Sequence, residues 1–218
     1  MALTFADLVA RARSLVSDGR RAVLGIVGAP AAGKTTLAVE LVRAMDGGVA
    51  HVPMDGFHLA DAELERLGLR DRKGAPDTFD ALGYAALLRR LHADEDEMIY
   101  APGFERVIEQ PIAGAIPVPR PARLIVSEGN YLLVDDPRWA KVRPLMTEVW
   151  YVDLDREERL RRLVERHLRF GKDEAAAVAW ATGTDERNAE IIMATRERAD
   201  LIVPAGLMHE LGTPPARP

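Results

Sequence analysis

The 218-residue chain contains no cysteine, which excludes disulfide frameworks, thiolate zinc sites and thiol nucleophiles and leaves the redox compartment unmarked. It lacks any stretch of the roughly eighteen consecutive apolar residues that a membrane-spanning helix needs. It also lacks a basic excess. Lys and Arg number 29 against 34 Asp and Glu, the net charge is −5 and the pI is about 5.6, whereas a broad nucleic-acid footprint usually shows as surplus positive charge. The first twenty residues are not an unbroken signal-peptide core. Phe5, Leu8, Val9, Ala12, Leu15 and Val16 fall on one helical face, and Asp7 and Asp18 argue against an organellar presequence. The expectation is a cytoplasmic protein without nucleic-acid or membrane partners.

What is present is ordinary globular composition, 48% hydrophobic and 29% charged, at a length that suits one domain. Short apolar runs at Ala22 to Val27, Val49 to Met54, Leu124 to Ser127 and Val149 to Leu154, with a shorter one at Ala199 to Val203, alternate with helical patterns. The helical candidates are Lys34 to Met45, Asp80 to His92, Pro137 to Met146, Asp155 to Phe170 and Asp173 to Ala194. This alternation predicts an α/β domain with a mostly parallel five-stranded sheet between helical layers. The stretches Arg70 to Thr78 and Ala101 to Pro121 read as insertions or loops because of their glycine and proline. The domain is expected over residues 1–203, with 204–218 as an irregular tail.

Gly28-Ala29-Pro30-Ala31-Ala32-Gly33-Lys34-Thr35 satisfies the pattern G-x-x-x-x-G-K-[ST] at every fixed position. A strand run precedes it, and a helical run beginning with Thr36 and Leu37 follows. Strand, glycine loop and helix together make a phosphate cradle. Its glycines let consecutive N–H groups point inward, and the helix adds its positive end. Residues Gly28 through Thr36 are therefore expected to bind ATP, with Lys34 reaching the β- and γ-phosphates and the Thr35 hydroxyl ligating Mg²⁺. Kinases, GTPase switches and motors share this loop. No N-K-x-D guanine-reading segment occurs in the sequence, which favours ATP.

Three further features carry possible chemistry. Asp55, before Gly56 at the end of the second run, is placed to align and deprotonate an acceptor hydroxyl, or else simply caps a turn. Glu128 ends an apolar strand, where a carboxylate can orient the water shell of Mg²⁺, or stands in solvent. Arg162, Arg166 and Arg169 share one face of a helix. They could close over a phosphoryl group as a lid spanning about 156–185, or could belong to a solvated face laced by Glu158–Arg162 and Glu165–Arg169 pairs. His58 reads more readily as a packing residue than as a functional one.

With Met54-Asp55-Gly56-Phe57-His58, Gly68 to Asp80, Ala101-Pro102-Gly103-Phe104-Glu105-Arg106 and Ser127-Glu128-Gly129-Asn130 in this order, the chain resembles the uridine kinase, phosphoribulokinase and pantothenate kinase group of P-loop kinases over about residues 20–203. The resemblance is closest to the bacterial pantothenate kinase core. It implies a three-layer P-loop NTPase fold with an arginine-bearing helical lid. By it Asp55 is the catalytic aspartate, Glu128 the strand-end glutamate, Lys34, Arg166 and Arg169 catalytic cations, and Phe104 and Arg106 acceptor-contacting residues. Arg106 stands where the group carries a histidine, so the acceptor pocket differs. The chain is shorter than pantothenate kinases, so regulation by coenzyme A is not expected, and Asp185-Glu186-Arg187-Asn188 is similar to small relatives labelled nucleoside or fructose-transport kinase. The implied reaction is transfer from ATP, with Mg²⁺, to a hydroxyl of a nucleoside, sugar or pantothenate-like acceptor; the rival is an ATP-hydrolysing switch or assembly factor. A homodimer is compatible with the sequence without being specified by it.

Overall fold

The computed structural model describes residues 2–171 and 173–211. The helices are α1 (Phe5–Ser14), α2 (Lys34–Ala44), α3 (Asp61–Leu67), α4 (Ala81–Ala93), α5 (Arg156–Arg169), α6 (Glu174–Trp180), α7 (Glu186–Met193) and α8 (Ala205–Leu211). The strands are β1 (Ala22–Val27), β2 (Val49–His51), β3 (Met98–Glu105), β4 (Gln110–Pro119), β5 (Leu124–Gly129), β6 (Glu148–Val152) and β7 (Leu201–Val203). Among the described residues no helix is long and apolar enough to cross a membrane.

Five strands form one parallel sheet in the order β2-β5-β1-β6-β7. β1 lies at its centre, and every residue of β1 and of β5 is buried, which is why both read as continuous apolar runs rather than alternating ones. Along β1, Ala22, Leu24 and Ile26 pack with Leu8, Leu37, Leu41 and Met208 from α1, α2 and α8. Val23 and Val27 face the opposite core, with Tyr84 and Leu88 of α4, Trp139 and Ile192 of α7. Period-two alternation thus divides one strand between two hydrophobic layers, giving the expected α/β/α sandwich. A parallel sheet of this kind binds ligands outside the carboxyl ends of its strands. The phosphate-loop segment after β1, Asp55 after β2 and Glu128, the penultimate residue of β5, all lie at that edge.

The structure departs from the sequence expectation at several points. Ala101 to Pro121 is an ordered insertion rather than a loop: with Met98 to Tyr100 it makes β3 and β4, an antiparallel hairpin separate from the main sheet, with a register irregularity between Ala101 and Gly103. Its prolines are tolerated because a two-stranded ribbon leaves one edge of each strand unpaired. Residues 61–67, a segment with no element expected from the sequence, form α3. Pro137 to Met146, expected as a helix, makes only two short 3₁₀ turns, Trp139–Lys141 and Arg143–Leu145, with Pro144 inside the second. Residues 205–211 of the expected irregular tail form α8, whose Leu207 and Met208 are buried; the rest of that tail lies outside the described residues.

Candidate active site

Between β1 and α2 the chain turns through two left-handed positions, Ala31 (φ 64°) and Gly33 (φ 102°). At Gly33 a side chain would also collide with the Met208 methyl group, 2.8 Å from where a Cβ would sit. Glycine is favoured there by the left-handed backbone, while the flexible Met208 methyl could yield to a small side chain. Gly33 starts α2 without a side-chain cap, which leaves the first N–H groups of the helix directed at the loop. Lys34 folds back under the loop, and its Nζ donates to the carbonyls of Gly28 (2.9 Å) and Ala29 (3.1 Å). Burial draws the Lys34 ammonium down to about 8, a fall that the charges of Glu128 and Asp55 offset only in part.

Thr35 and Glu128 meet as expected: the hydroxyl donates to Glu128 Oε1 at 3.0 Å. Burial, reinforced by the charge of Asp55, pushes the Glu128 carboxyl above its ordinary range, against the pull of Lys34 and the Thr35 bond. Asp55 sits in the short turn Met54–Phe57 that leaves the sheet. Burial would raise its carboxyl too, but the charge of Arg106, followed by those of His58 and Lys34, more than reverses this and holds it below the usual range. Two neighbouring carboxyls are therefore driven in opposite directions, the pattern by which sites assign different protonation roles to like groups.

The turn that carries Asp55 is fixed from both sides. Ser127 Oγ donates to the Val52 carbonyl at 2.5 Å and is within 2.6 Å of the Tyr84 hydroxyl, tying the exit of β2 to β5 and α4. On the other side a Cβ on Gly56 would fall 2.2 Å from the Pro102 carbonyl oxygen, so only glycine lets the hairpin sit this close. That seating delivers Arg106, whose Nη2 donates to Asp55 Oδ2. Phe104 lies below, with the Arg106 guanidinium carbon 4.9 Å and the Lys73 amine 5.6 Å from its ring centre. His58 packs between Phe79 and Phe104 with ring centres 4.0 and 4.6 Å away, and its Nδ1 lies 2.8 Å from the Asp55 carbonyl. It is a packing residue of the site wall, as expected.

α5 lies over the loop from the far side. Arg162 comes within 3.8 Å of the Cβ position at Gly33 while its Nε donates to Glu158 at 2.7 Å. Arg166 is half-buried and within electrostatic reach of Asp55, Arg106 and Lys34. Burial draws its guanidinium down, and Asp185 is the largest charge opposing that fall. Arg169 is exposed at the end of the helix and has no ion-pair or hydrogen-bond partner among the described residues. Of the two pairs in the solvated-face alternative, Glu158–Arg162 is formed, whereas Glu165 pairs with Arg161 rather than Arg169.

No protein-family model matches the chain. It is 30% identical over 217 residues to a "putative uridine kinase" of Schizosaccharomyces pombe, the match covering 95% of this chain and 91% of the other. It is 30% identical over 228 residues to a pantothenate kinase of Streptomyces avermitilis, covering 89% and 68%. Among solved structures, a "putative fructose transport system kinase" from Silicibacter sp. TM1040 superposes with a TM-score of 0.85 at 37% identity, covering 93% of this chain and all of the other. The chain belongs to the uridine kinase and pantothenate kinase group of P-loop kinases.

For a kinase of this group the loop fits a nucleoside triphosphate by its own chemistry: a buried amine whose bonds are to loop carbonyls, a glycine that opens the helix start, and arginines on the facing helix. Among the described residues no group of three or more His, Asp or Glu could hold a metal ion alone. Thr35 and Glu128 would therefore share a Mg²⁺ with phosphate oxygens and water, the usual habit of that ion. The sequence names Lys73, Asp185 and Asn188 only within segments that carry a resemblance and gives none of them a role. His167 Nε2 donates to Asp185 Oδ2 at 2.6 Å, and Asn188 Nδ2 donates to the Gly74 carbonyl at 3.4 Å, which also accepts from the Tyr131 hydroxyl. The helical run 174–193 carries one π-type turn, Ala181–Asp185, and Asp185 is buried at its end.

Proposed function

We propose that this kinase transfers the γ-phosphoryl group of ATP to a hydroxyl of a small metabolite, with Asp55 as the proton acceptor. The observation that carries the reading is geometric: the turn after β2 holds Asp55 at the same sheet edge where Thr35 donates to Glu128 at 3.0 Å and Lys34 folds back under the loop. An ionised carboxylate there is suited to hold the acceptor hydroxyl and take its proton. As the acceptor oxygen forms its bond to the γ-phosphorus, the bond from that phosphorus to the bridging oxygen breaks. ADP leaves with that electron pair, and the hydroxyl proton resides on Asp55.

Lys34 supplies positive charge to the β- and γ-phosphate oxygens, and Arg162 and Arg166 supply it from the side of α5. Phe104 and Arg106 face the acceptor. When bound, Mg²⁺ neutralises phosphate charge and would be held by Thr35 with Glu128 behind it. Positioning is the larger part of the work, since phosphoryl transfer asks little covalent chemistry of the protein.

The test is to incubate the protein with MgATP and nucleosides, ketoses, hydroxy acids and pantothenate, following ADP release and phosphorylated product by mass. Product that depends on Asp55 supports the reading. Release of inorganic phosphate alone, whatever the acceptor, would replace it with an ATP-hydrolysing switch.

A further inference from the structure

Within the acceptor side of the site one cation keeps most of its donors free of protein partners. The Arg106 guanidinium gives one N–H, on Nη2, to Asp55, and among the described residues it has no other hydrogen-bond or ion-pair partner. A guanidinium carries five N–H donors in one plane. Its central carbon lies 4.9 Å from the centre of the Phe104 ring, and the side chain is 48% exposed, so its remaining donors are open to solvent or to a ligand. By contrast Lys73, the other cation on the same ring, is already held by Asp61 Oδ1 at 2.5 Å and by the Glu109 carbonyl. Arg106 is thus the cation of this wall with donors to spare.

We infer that the acceptor carries an anionic group, a carboxylate or a phosphate, and that Arg106 exchanges its bond to Asp55 for one to that group as the acceptor binds. The inference rests on the reading of Asp55 as proton acceptor. A hydroxyl that bonds to Asp55 must compete with a charge-assisted bond. A neutral acceptor that won this competition would leave the half-exposed guanidinium to water, and once the proton reached Asp55 the cation would lose its counter-charge altogether. An anionic acceptor supplies a replacement partner in the planar, two-pronged form that a guanidinium fits best. The close contact of Gly56 with Pro102 keeps the hairpin seated, so Arg106 can swing between the two partners without the backbone moving.

The experiment compares matched acceptors under saturating MgATP: hydroxy acids against their amides, and sugar phosphates against the free sugars, with ADP release and product mass as readouts. The acidic member of at least one pair is expected to exceed its neutral partner by more than about tenfold in kcat/KM, and which series responds tells carboxylate from phosphate. Arg106→Gln should raise KM for that acceptor about 10- to 100-fold while leaving KM for ATP within about twofold, and Arg106→Lys should recover part of the loss. Neutral members used as well as acidic ones would overturn this inference and leave the proposed reaction standing. A rise in KM for ATP instead would assign Arg106 to the nucleotide and also overturn it. No phosphorylated product from any member of the panel overturns both.

Discussion

The Thr35 hydroxyl donates to Glu128 Oε1 at 3.0 Å, joining the first turn of the helix behind the phosphate loop to the end of the neighbouring strand. One residue supplies a neutral oxygen and the other orients it, so the two should act on Mg²⁺ as a unit. Glu128→Gln and Thr35→Ala are each expected to raise the Mg²⁺ concentration needed for half-maximal activity by about 10- to 100-fold, the usual effect of disturbing a ligand or its orienting partner. The double variant should be little worse than either single one. A magnesium titration that superposes on the unaltered protein's would remove the pair from the metal.

Asp55→Asn should lower kcat by about 10²- to 10⁴-fold, the range for a lost general base, with KM for ATP nearly unchanged. The pH dependence follows from the sign of the shift. Because Arg106 holds the Asp55 carboxyl below its ordinary range, the base stays ionised through mildly acidic pH, and kcat/KM should fall only below the usual carboxylate range. In Arg106→Gln that acid limb should move upward. An unmoved limb would mean that another group sets it.

Much of this arrangement was legible in the chain. The buried strands β1 and β5 and the helix after Gly33 stand where apolar runs and the loop pattern put them, because a strand buried on both faces and a glycine-punctuated helix start leave direct marks in sequence. Glu128 and Thr35 were paired by motif logic alone. The hairpin was not legible, since prolines such as Pro102, Pro117 and Pro119 signal a loop unless the ribbon is known to be two-stranded. The bond between Arg106 and Asp55 depends on that hairpin and on the Gly56 contact beneath it, a long-range packing event with no local period. The same limit hid Asp185, whose partner His167 lies on another helix. Helix periodicity gave the arginine stripe of α5, but which arginine meets the loop is set by how α5 docks.

Lys34 offers a direct measure of the loop. Its free ammonium is drawn down to about 8 by burial, so near pH 8 it is only partly charged. A triphosphate placed against it favours the charged form, and binding of MgATP at that pH should take up as much as about half a proton. Calorimetry in buffers of different ionisation enthalpy would read this uptake as a buffer-dependent heat. Uptake should shrink at pH 6.5, where the amine is already charged, and vanish in Lys34→Met. A buffer-independent heat at pH 8 would show that the amine is fully charged before nucleotide arrives.

The arginines of α5 should separate by position rather than by residue type. Arg162 lies against Gly33 and Arg166 lies within electrostatic reach of Asp55 and Lys34, whereas Arg169 is exposed and unpaired among the described residues. A guanidinium that meets transition-state charge is worth about 10³-fold or more in kcat, while an exposed one contributes little. Arg166→Ala is therefore expected to cost orders of magnitude in kcat, Arg162→Ala to weaken nucleotide binding as well as turnover, and Arg169→Ala to change either by no more than a few-fold. Lysine at 166 should restore only part of the activity, because an ammonium gives the charge without the planar fork. Single-turnover rates on the three variants would test the ordering, and a defect in Arg169→Ala as large as that in Arg166→Ala would require α5 to close further over the loop during the reaction than its position here implies.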